Sequence, residues 1–414
     1  MIDLQRVRRR LSEPGPWLWT ALAIGAVVRA GLVVFSEGSD DVPIWFSHAA
    51  WTRRYGLVGY YEWQEVFNHP PFIGKAMSLL WVLSQMAEIP FRILLRAPFA
   101  ALDLGNALLL LHLFRRSPHR YVIFAGYWLN PLSILYSAYH GNTDTGVAFF
   151  GLLAVAAAAK RRPLVSGAAL GFGLWLKLPV ILAAPALLFA FEGWRRRLAF
   201  AVAMLLVGLS TYLPVLVEAP GLVVERVLAY PGLNIMTPGG SPIWTIWSVF
   251  GIADALPNAW RPALDAVIEA HAAHNTLVCV LPLIAFAWLR RRERTARELG
   301  TTVCGCFIVF YAFNNNFLSF QYFAWSVPFW FFPGARFAAV ATLAIGGYVY
   351  AAYAFFCGSP LLLGAWDFRG HPQWPAWLVL WRDIAVLWCF VSAWAFLVAA
   401  ARAEWRRSRT RERR

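Results

Sequence analysis

Apolar residues along the chain gather into blocks of about 20, the helix length that crosses a hydrocarbon core, with polar residues collected between them. A segment inside a bilayer must satisfy its backbone hydrogen bonds internally, so such blocks predict helices. The first block, 16–36, is followed by a long polar stretch, 37–92. Further blocks fall at 93–114, 119–138, 143–159, 163–176, 179–193, 197–218, 266–289, 299–313, 321–333, 336–356 and 376–401, with a second long interruption at 219–265. The pattern predicts an all-α polytopic membrane protein, one domain over 1–414 with about twelve spans. The apolar piece Pro71–Ile89 carries Lys75 and Glu88. Counting it as a span would put Arg115, Arg116 and Arg120 outside, so it reads as a helix lying on the outer surface.

Composition supports the membrane reading: 59% of residues are hydrophobic and 14% charged, and the 22 Trp and 14 Tyr suit interfacial anchoring. The net charge of +15 would suggest a nucleic-acid partner in a soluble chain. Here Lys and Arg cluster at Arg6–Arg10, Arg115–Arg120, Lys160–Arg162, Arg195–Arg197, Arg290–Arg297, Arg336 and Arg402–Arg414, always between blocks or at a terminus. Short basic loops mark the cytoplasmic side, so the charge is a topology signal and no nucleic acid is expected. Both termini are then cytoplasmic, and the long loops 37–92 and 219–265 lie outside. The first block follows a basic segment but is a full span with no small-residue cleavage site after it, and reads as an uncleaved anchor. The five cysteines lie in or beside apolar blocks without a CxxC spacing, which suggests neither a disulfide frame nor a zinc site.

The polar residues of the outer face carry the candidate chemistry. In "FSEGSDDVPIWFSHAAW", Asp40 and Asp41 either terminate a helix as solvated acids or supply a general base partly desolvated by Trp45 and Phe46. In "SAYHGNTDTG", Asp144 either caps the following helix or joins His140 and Asn142 in binding a polar ligand such as a sugar. Lys177 lies about 20 Å into the membrane from the inner loop at Arg162, at the apex of a helical hairpin. A cation there calls for an anionic partner such as a lipid phosphate, unless it snorkels to the outer headgroups. "NNNFLSFQYFAW" adds Gln321 and Tyr322. His271 and His274 share a helix face but lack a third metal ligand, and "GAALGFG" reads as close helix packing.

Together these stretches resemble the polyprenyl-phosphate-sugar-dependent glycosyltransferases of the GT-C superfamily, above all the catalytic subunit of the first mannosyltransferase of GPI-anchor assembly and its bacterial relatives. The motifs are "DDVPIWFSHAA", "GYYEWQEVFNHPPF" with Asn68–His69 before its prolines, the segment Asn130–Phe189, and "SFQYFAW". The resemblance implies a GT-C-like fold and an inverting hexosyltransferase in the cell membrane, the inner membrane of a bacterium, with its active site on the outer, periplasmic side. A hexose, mannose favoured, would pass from a polyprenyl-phosphate donor to a lipid or glycan hydroxyl. Asp41 would be the base, with Asp40 as the alternative, and Lys177 would hold the donor phosphate. His69, His140, Asn142, Asp144, Gln321 and Tyr322 would bind sugar or acceptor. Membrane lipid and an accessory subunit are further partners, and neither a soluble cofactor nor a metal is required; a divalent cation has no ligand set to support it. The rival reading is a transporter or flippase of a lipid-linked or anionic substrate, against which stands the absence of an internal repeat.

Overall fold

The computed structural model describes residues 13–65, 67–228, 244–315, 320–368, 370–371 and 373–412. The basic cluster Arg6–Arg10, the part 229–243 of the predicted outer loop 219–265, and 316–319 within "NNNFLSFQYFAW" lie outside the described residues. The described chain is helical, without strands. Its longer helices are α1 (Pro16–Phe35), α2 (Asp41–Trp63), α3 (Pro71–Ala87), α4 (Phe91–Leu113), α5 (Arg120–Trp128), α6 (Asp144–Ala159), α7 (Pro163–Leu176), α8 (Trp194–Ser210), α9 (Arg261–Ala273), α10 (Asn275–Leu289), α11 (Ala296–Phe313), α12 (Ala335–Phe356) and α13 (Ala376–Glu412).

Five of these, α1, α4, α11, α12 and α13, are long and apolar enough to cross a membrane, and α9 with α10 would add a sixth across a 74° bend. The chain is therefore an integral membrane protein. The count falls short of the twelve spans expected from the pattern because several blocks form helices shorter than a full span, such as α6 with 16 residues and α7 with 14, and because Pro131, after Asn130, divides the 119–138 block. Apolar runs cannot reveal such a break, since a broken and a continuous helix share one composition. The boundary at Lys177 stands where the pattern put it, between α7 and a 3-10 turn, Leu178–Ala183.

Local chemistry sets the helix ends. Thr295 and Glu298 form a reciprocal capping box that starts α11. Asn130 accepts from the backbone N–H of Leu132 and opens the short turn Pro131–Ile134. Helices α7 and α8 touch through glycine: a Cβ on Gly167 would fall 2.1 Å from the Phe200 carbonyl oxygen. That close approach explains "GAALGFG" as packing.

The two ends of the molecule differ in chemistry. At one, Arg291 pairs with Glu404 at 2.6 Å, Arg294 with Glu192 at 3.2 Å and Arg407 with Glu293 at 3.4 Å, which gathers three basic segments together. The other end carries Asp41, His140, Asn142, Asp144 and Lys177. Between them a large core runs through Leu152, Val303, Phe307, Phe329 and Tyr348. Helices α2 and α3 pack on each other and on the start of α4 through Trp45, Ala49, Ile73, Met77 and Leu95.

Candidate functional site

The site begins where α1 ends. Arg96, fully buried on α4, donates to the carbonyls of Val33 (2.9 Å), Ser36 (2.7 Å) and Tyr139 (3.3 Å), and to Ser36 Oγ (2.8 Å). A cation satisfying the last carbonyls of a helix is favourable twice over, by hydrogen bonding and by the helix dipole. It also ties the end of α1 to the loop after Tyr139. Gly38 turns the chain with φ +88°, and a Cβ there would meet Val42 Cγ2 at 2.6 Å and the Tyr139 oxygen at 2.9 Å. Only glycine accommodates both the dihedral and the contact. The result is Asp41, at the start of α2, facing the turn 140–143.

That turn follows a π-helical segment, Leu135–His140, an irregularity that re-aims side chains. Ser39 Oγ donates to the His140 carbonyl at 2.8 Å, and the Tyr353 hydroxyl lies 2.7 Å from His140 Nδ1. With Nδ1 accepting, the ring proton sits on Nε2, 3.1 Å from Asp41 Oδ2. The approach is too oblique for a full hydrogen bond, so the contact is chiefly electrostatic. Asn142 Nδ2 donates to the same carboxylate oxygen, while Asn142 Oδ1 accepts from the Thr143 backbone at 2.6 Å. Burial opposes the charge on Asp41, but His140, Lys177 and Asn142 outweigh it and hold the carboxyl at about 2. So depressed a carboxylate is a weak proton acceptor at neutral pH and a good hydrogen-bond acceptor.

Lys177 ends α7 in an extended conformation, which frees its side chain from the helix. Its ammonium donates to Asp144 Oδ1 at 2.8 Å and Oδ2 at 3.0 Å, and lies 5.0 Å over the Tyr322 ring. Trp325 Nε1 donates to Asp144 as well, and Tyr322 stacks on Trp325 at 4.6 Å. The buried lysine thus finds its anion inside the protein, where the sequence suggested a lipid phosphate. Asp144 is its counter-ion; its side chain makes no cap bond at the start of α6.

His69 forms a third group, with its ring centroid 4.3 Å from that of Trp45 and 5.9 Å from that of His48. His48 Nδ1 lies 2.5 Å from the Tyr60 hydroxyl. Burial pushes His48 down to about 4 against the opposing pull of Asp41. His69 is held well below its ordinary value, by burial first and then by Lys177 and His48. Trp45 therefore shields His69, and Phe46 packs edge-on against Phe91. Gln321 is buried on the turn that carries Tyr322 and makes no hydrogen bond to these groups among the described residues.

Asp40 and Asp41 face different surroundings. Asp40 lines a cleft of about 420 Å³ with Glu37, Phe46, Phe91, Arg92 and Trp366. Arg92 pairs loosely with exposed Glu37, 3.8 Å away, and its Nε is buried without a hydrogen-bond partner among the described residues.

The sequence reading passed over Arg96, Arg92 and a buried ion pair, Arg29–Asp103. Arg29 Nε donates to Asp103 at 3.1 Å, its Nη2 to Ser133 Oγ at 2.9 Å, and its guanidinium stacks on Trp128 at 3.8 Å. The signal was present: each is an ionisable residue in or at the end of an otherwise apolar block. His271, by contrast, accepts from Trp247 Nε1 at 3.0 Å and places Nε2 2.7 Å from the Phe313 carbonyl, so both its nitrogens are occupied in packing.

The family model described as "GPI transamidase subunit PIG-U" matches residues 48–223, less than half of the chain. No curated protein matches the chain. The matched stretch holds His48, His69, His140, Asn142, Asp144 and Lys177, with Asp40, Asp41, Gln321 and Tyr322 outside it. This match overturns the resemblance to GPI mannosyltransferases and the GT-C glycosyltransferases, which are a different family. With it fall the hexosyltransferase activity, the polyprenyl-phosphate sugar donor and its acceptor, and the rival transporter reading. Over 48–223 the chain is similar to a subunit of a transamidase.

Proposed function

We propose that this chain is a membrane-embedded subunit of a multi-subunit complex, and that its polar end holds a phosphate-bearing glycolipid for a partner to act upon. The observation that carries the reading is the PIG-U match across the segment that contains most of the polar cluster. The name of that family connects it to GPI, a glycosylated phosphoinositide, so the ligand class is a lipid with a phosphodiester and a glycan.

Arg92 has the chemistry for the phosphate: it lines the cleft, keeps an unpartnered buried Nε, and is only loosely engaged by Glu37. Phe46 and Trp366 offer apolar ring faces to sugar, and Asp40 accepts from hydroxyls. Asp41, with 24% of its side chain exposed, is a second acceptor, held ionised by His140 and Asn142. His140, with Tyr353 on its Nδ1, backs Asp41, and Lys177 and Asp144 pair with each other. In this reading the basic end faces the cytoplasm and the polar end the opposite side. The shorter apolar helices Asp144–Ala159, Pro163–Leu176 and Leu178–Ala190 add three crossings to the longer spans.

The test uses the full chain in nanodiscs, titrated with a radiolabelled glycosylphosphatidylinositol and with a glycosyl diacylglycerol lacking the phosphodiester. The phosphodiester lipid should bind about tenfold or more tighter, as one charge-assisted pair supplies, and Arg92→Gln should erase the difference. Equal binding of both lipids would sink the proposal.

A further inference from the structure

A second cavity lies at the opposite, basic end. It is a groove of about 740 Å³ between α5 and α12, within the size range of ligand pockets. Both helices start at the basic end, so the groove runs from that surface toward the membrane interior. Arg297, His119 and Ser117 line its mouth. Val122, Ile123, Phe331 and Leu343 give it apolar walls, while Gly126, Ala335 and Ala339 keep it open because they carry little or no side chain. From Ala335 to Leu343 the groove follows about 12 Å of helix. At its far end Asn130 Nδ2 donates to Thr342 Oγ1 at 2.8 Å, so no polar group is stranded there.

The charge at the mouth is unbalanced. Arg291 and Arg292 share Glu404, Arg294 takes Glu192, and Arg407 takes Glu293. Arg297 has no acidic partner among the described residues. Its Nε donates to the Phe332 carbonyl at 3.2 Å, which anchors the exposed guanidinium at the rim and leaves both Nη groups without a partner among the described residues. A fixed cation above a narrow apolar channel is complementary to one class of amphiphile, with an anion at its head and a hydrocarbon chain behind it.

We propose that this groove binds an anionic glycerophospholipid of the surrounding leaflet, with its phosphate on Arg297 and one acyl chain between α5 and α12. Basic pockets between membrane helices on the cytoplasmic side bind lipid headgroups by the same combination of forces. The site is independent of the polar cluster, being formed at the other end of the helices.

The probes are phosphatidylglycerol and phosphatidylcholine carrying a diazirine midway along one acyl chain, each reconstituted with the full chain in nanodiscs. Irradiation and peptide mapping should place phosphatidylglycerol adducts within 122–131 and 335–343. Ala339→Trp, at an exposed position that projects into the groove, should remove those adducts while adducts on α13 persist. Arg297→Gln should lower phosphatidylglycerol labelling about fivefold, the loss of about 1 kcal/mol from one surface cation, and Arg297→Lys should retain most of it. Equal labelling by the two lipids in the unmodified chain would overturn the headgroup site. An absence of adducts at both helices would overturn the groove as a lipid site and leave it to a protein partner.

Discussion

Replacing Lys177 by Met removes one partner of a buried ion pair and strands the other. Asp144 has 2% of its side chain exposed and Lys177 12%, with contacts of 2.8 and 3.0 Å. After the substitution the carboxylate keeps only the Trp325 indole N–H, far less than its lost hydration requires. Breaking a pair this buried costs about 3–5 kcal/mol, mostly the penalty on the abandoned charge. The informative step is the second one. Adding Asp144→Asn removes that charge while its side-chain oxygen still accepts from Trp325, so the double variant should recover about 2–3 kcal/mol relative to Lys177→Met alone. The assay is reversible unfolding of the full chain in mixed micelles titrated with sodium dodecyl sulfate, followed by tryptophan fluorescence, for all four members of the cycle. An unchanged midpoint for Lys177→Met, or a double variant weaker than the single, would refute the buried pairing.

Arg29→Met should likewise cost about 3–5 kcal/mol in the same titration, because Asp103 is fully buried and would retain only the hydroxyls of Tyr127 and Ser137. Stability should fall as pH drops from 6.5 toward 4: His48 is held at about 4 in the folded chain, so over that window the unfolded chain binds a proton that the folded one refuses. The loss reaches about 3 kcal/mol from this residue, and His48→Gln should reduce the slope, leaving the part that comes from the likewise depressed His69. The depressed Asp41 contributes only below that window, its stabilisation fading as pH falls from about 4 toward 2. In intact cells or right-side-out vesicles, Glu37→Cys should react with an impermeant maleimide and Arg116→Cys only after lysis; both positions are exposed.

Much of the helical character was legible, because a hydrophobic block of span length has few alternatives to a helix. A helix after "NHPP" also stands where the pattern put one, as Pro71–Ala87, since prolines open helices. What the pattern could not give was continuity. The π-helical turn ending at His140 leaves no periodic trace, whereas the interruption at Lys177 was legible as the gap between two apolar blocks. At the site, single residues were visible and pairings were not. Lys177 and Asp144 stood out separately, 33 positions apart, yet nothing local says that they neutralise each other. Asp40 and Asp41, adjacent in sequence, are split by the first turn of α2 into a cleft wall and a partner of Asn142. Arg92, Arg96 and Arg29 fall outside the basic clusters that mark topology, and as single arginines in or beside apolar blocks they show no local sign of their partners.

The central claim is that this chain works as a binding subunit within an assembly and does not transfer sugars alone. It is tested by extracting the full chain from its own membrane in a mild detergent, measuring the native mass, and assaying the same preparation with a polyprenyl-phosphate hexose. A particle well above the 46.5 kDa of the single chain, with other membrane proteins in fixed stoichiometry and no hexose transferred, is the predicted result. A lone chain that moves hexose from that donor to an acceptor would contradict it.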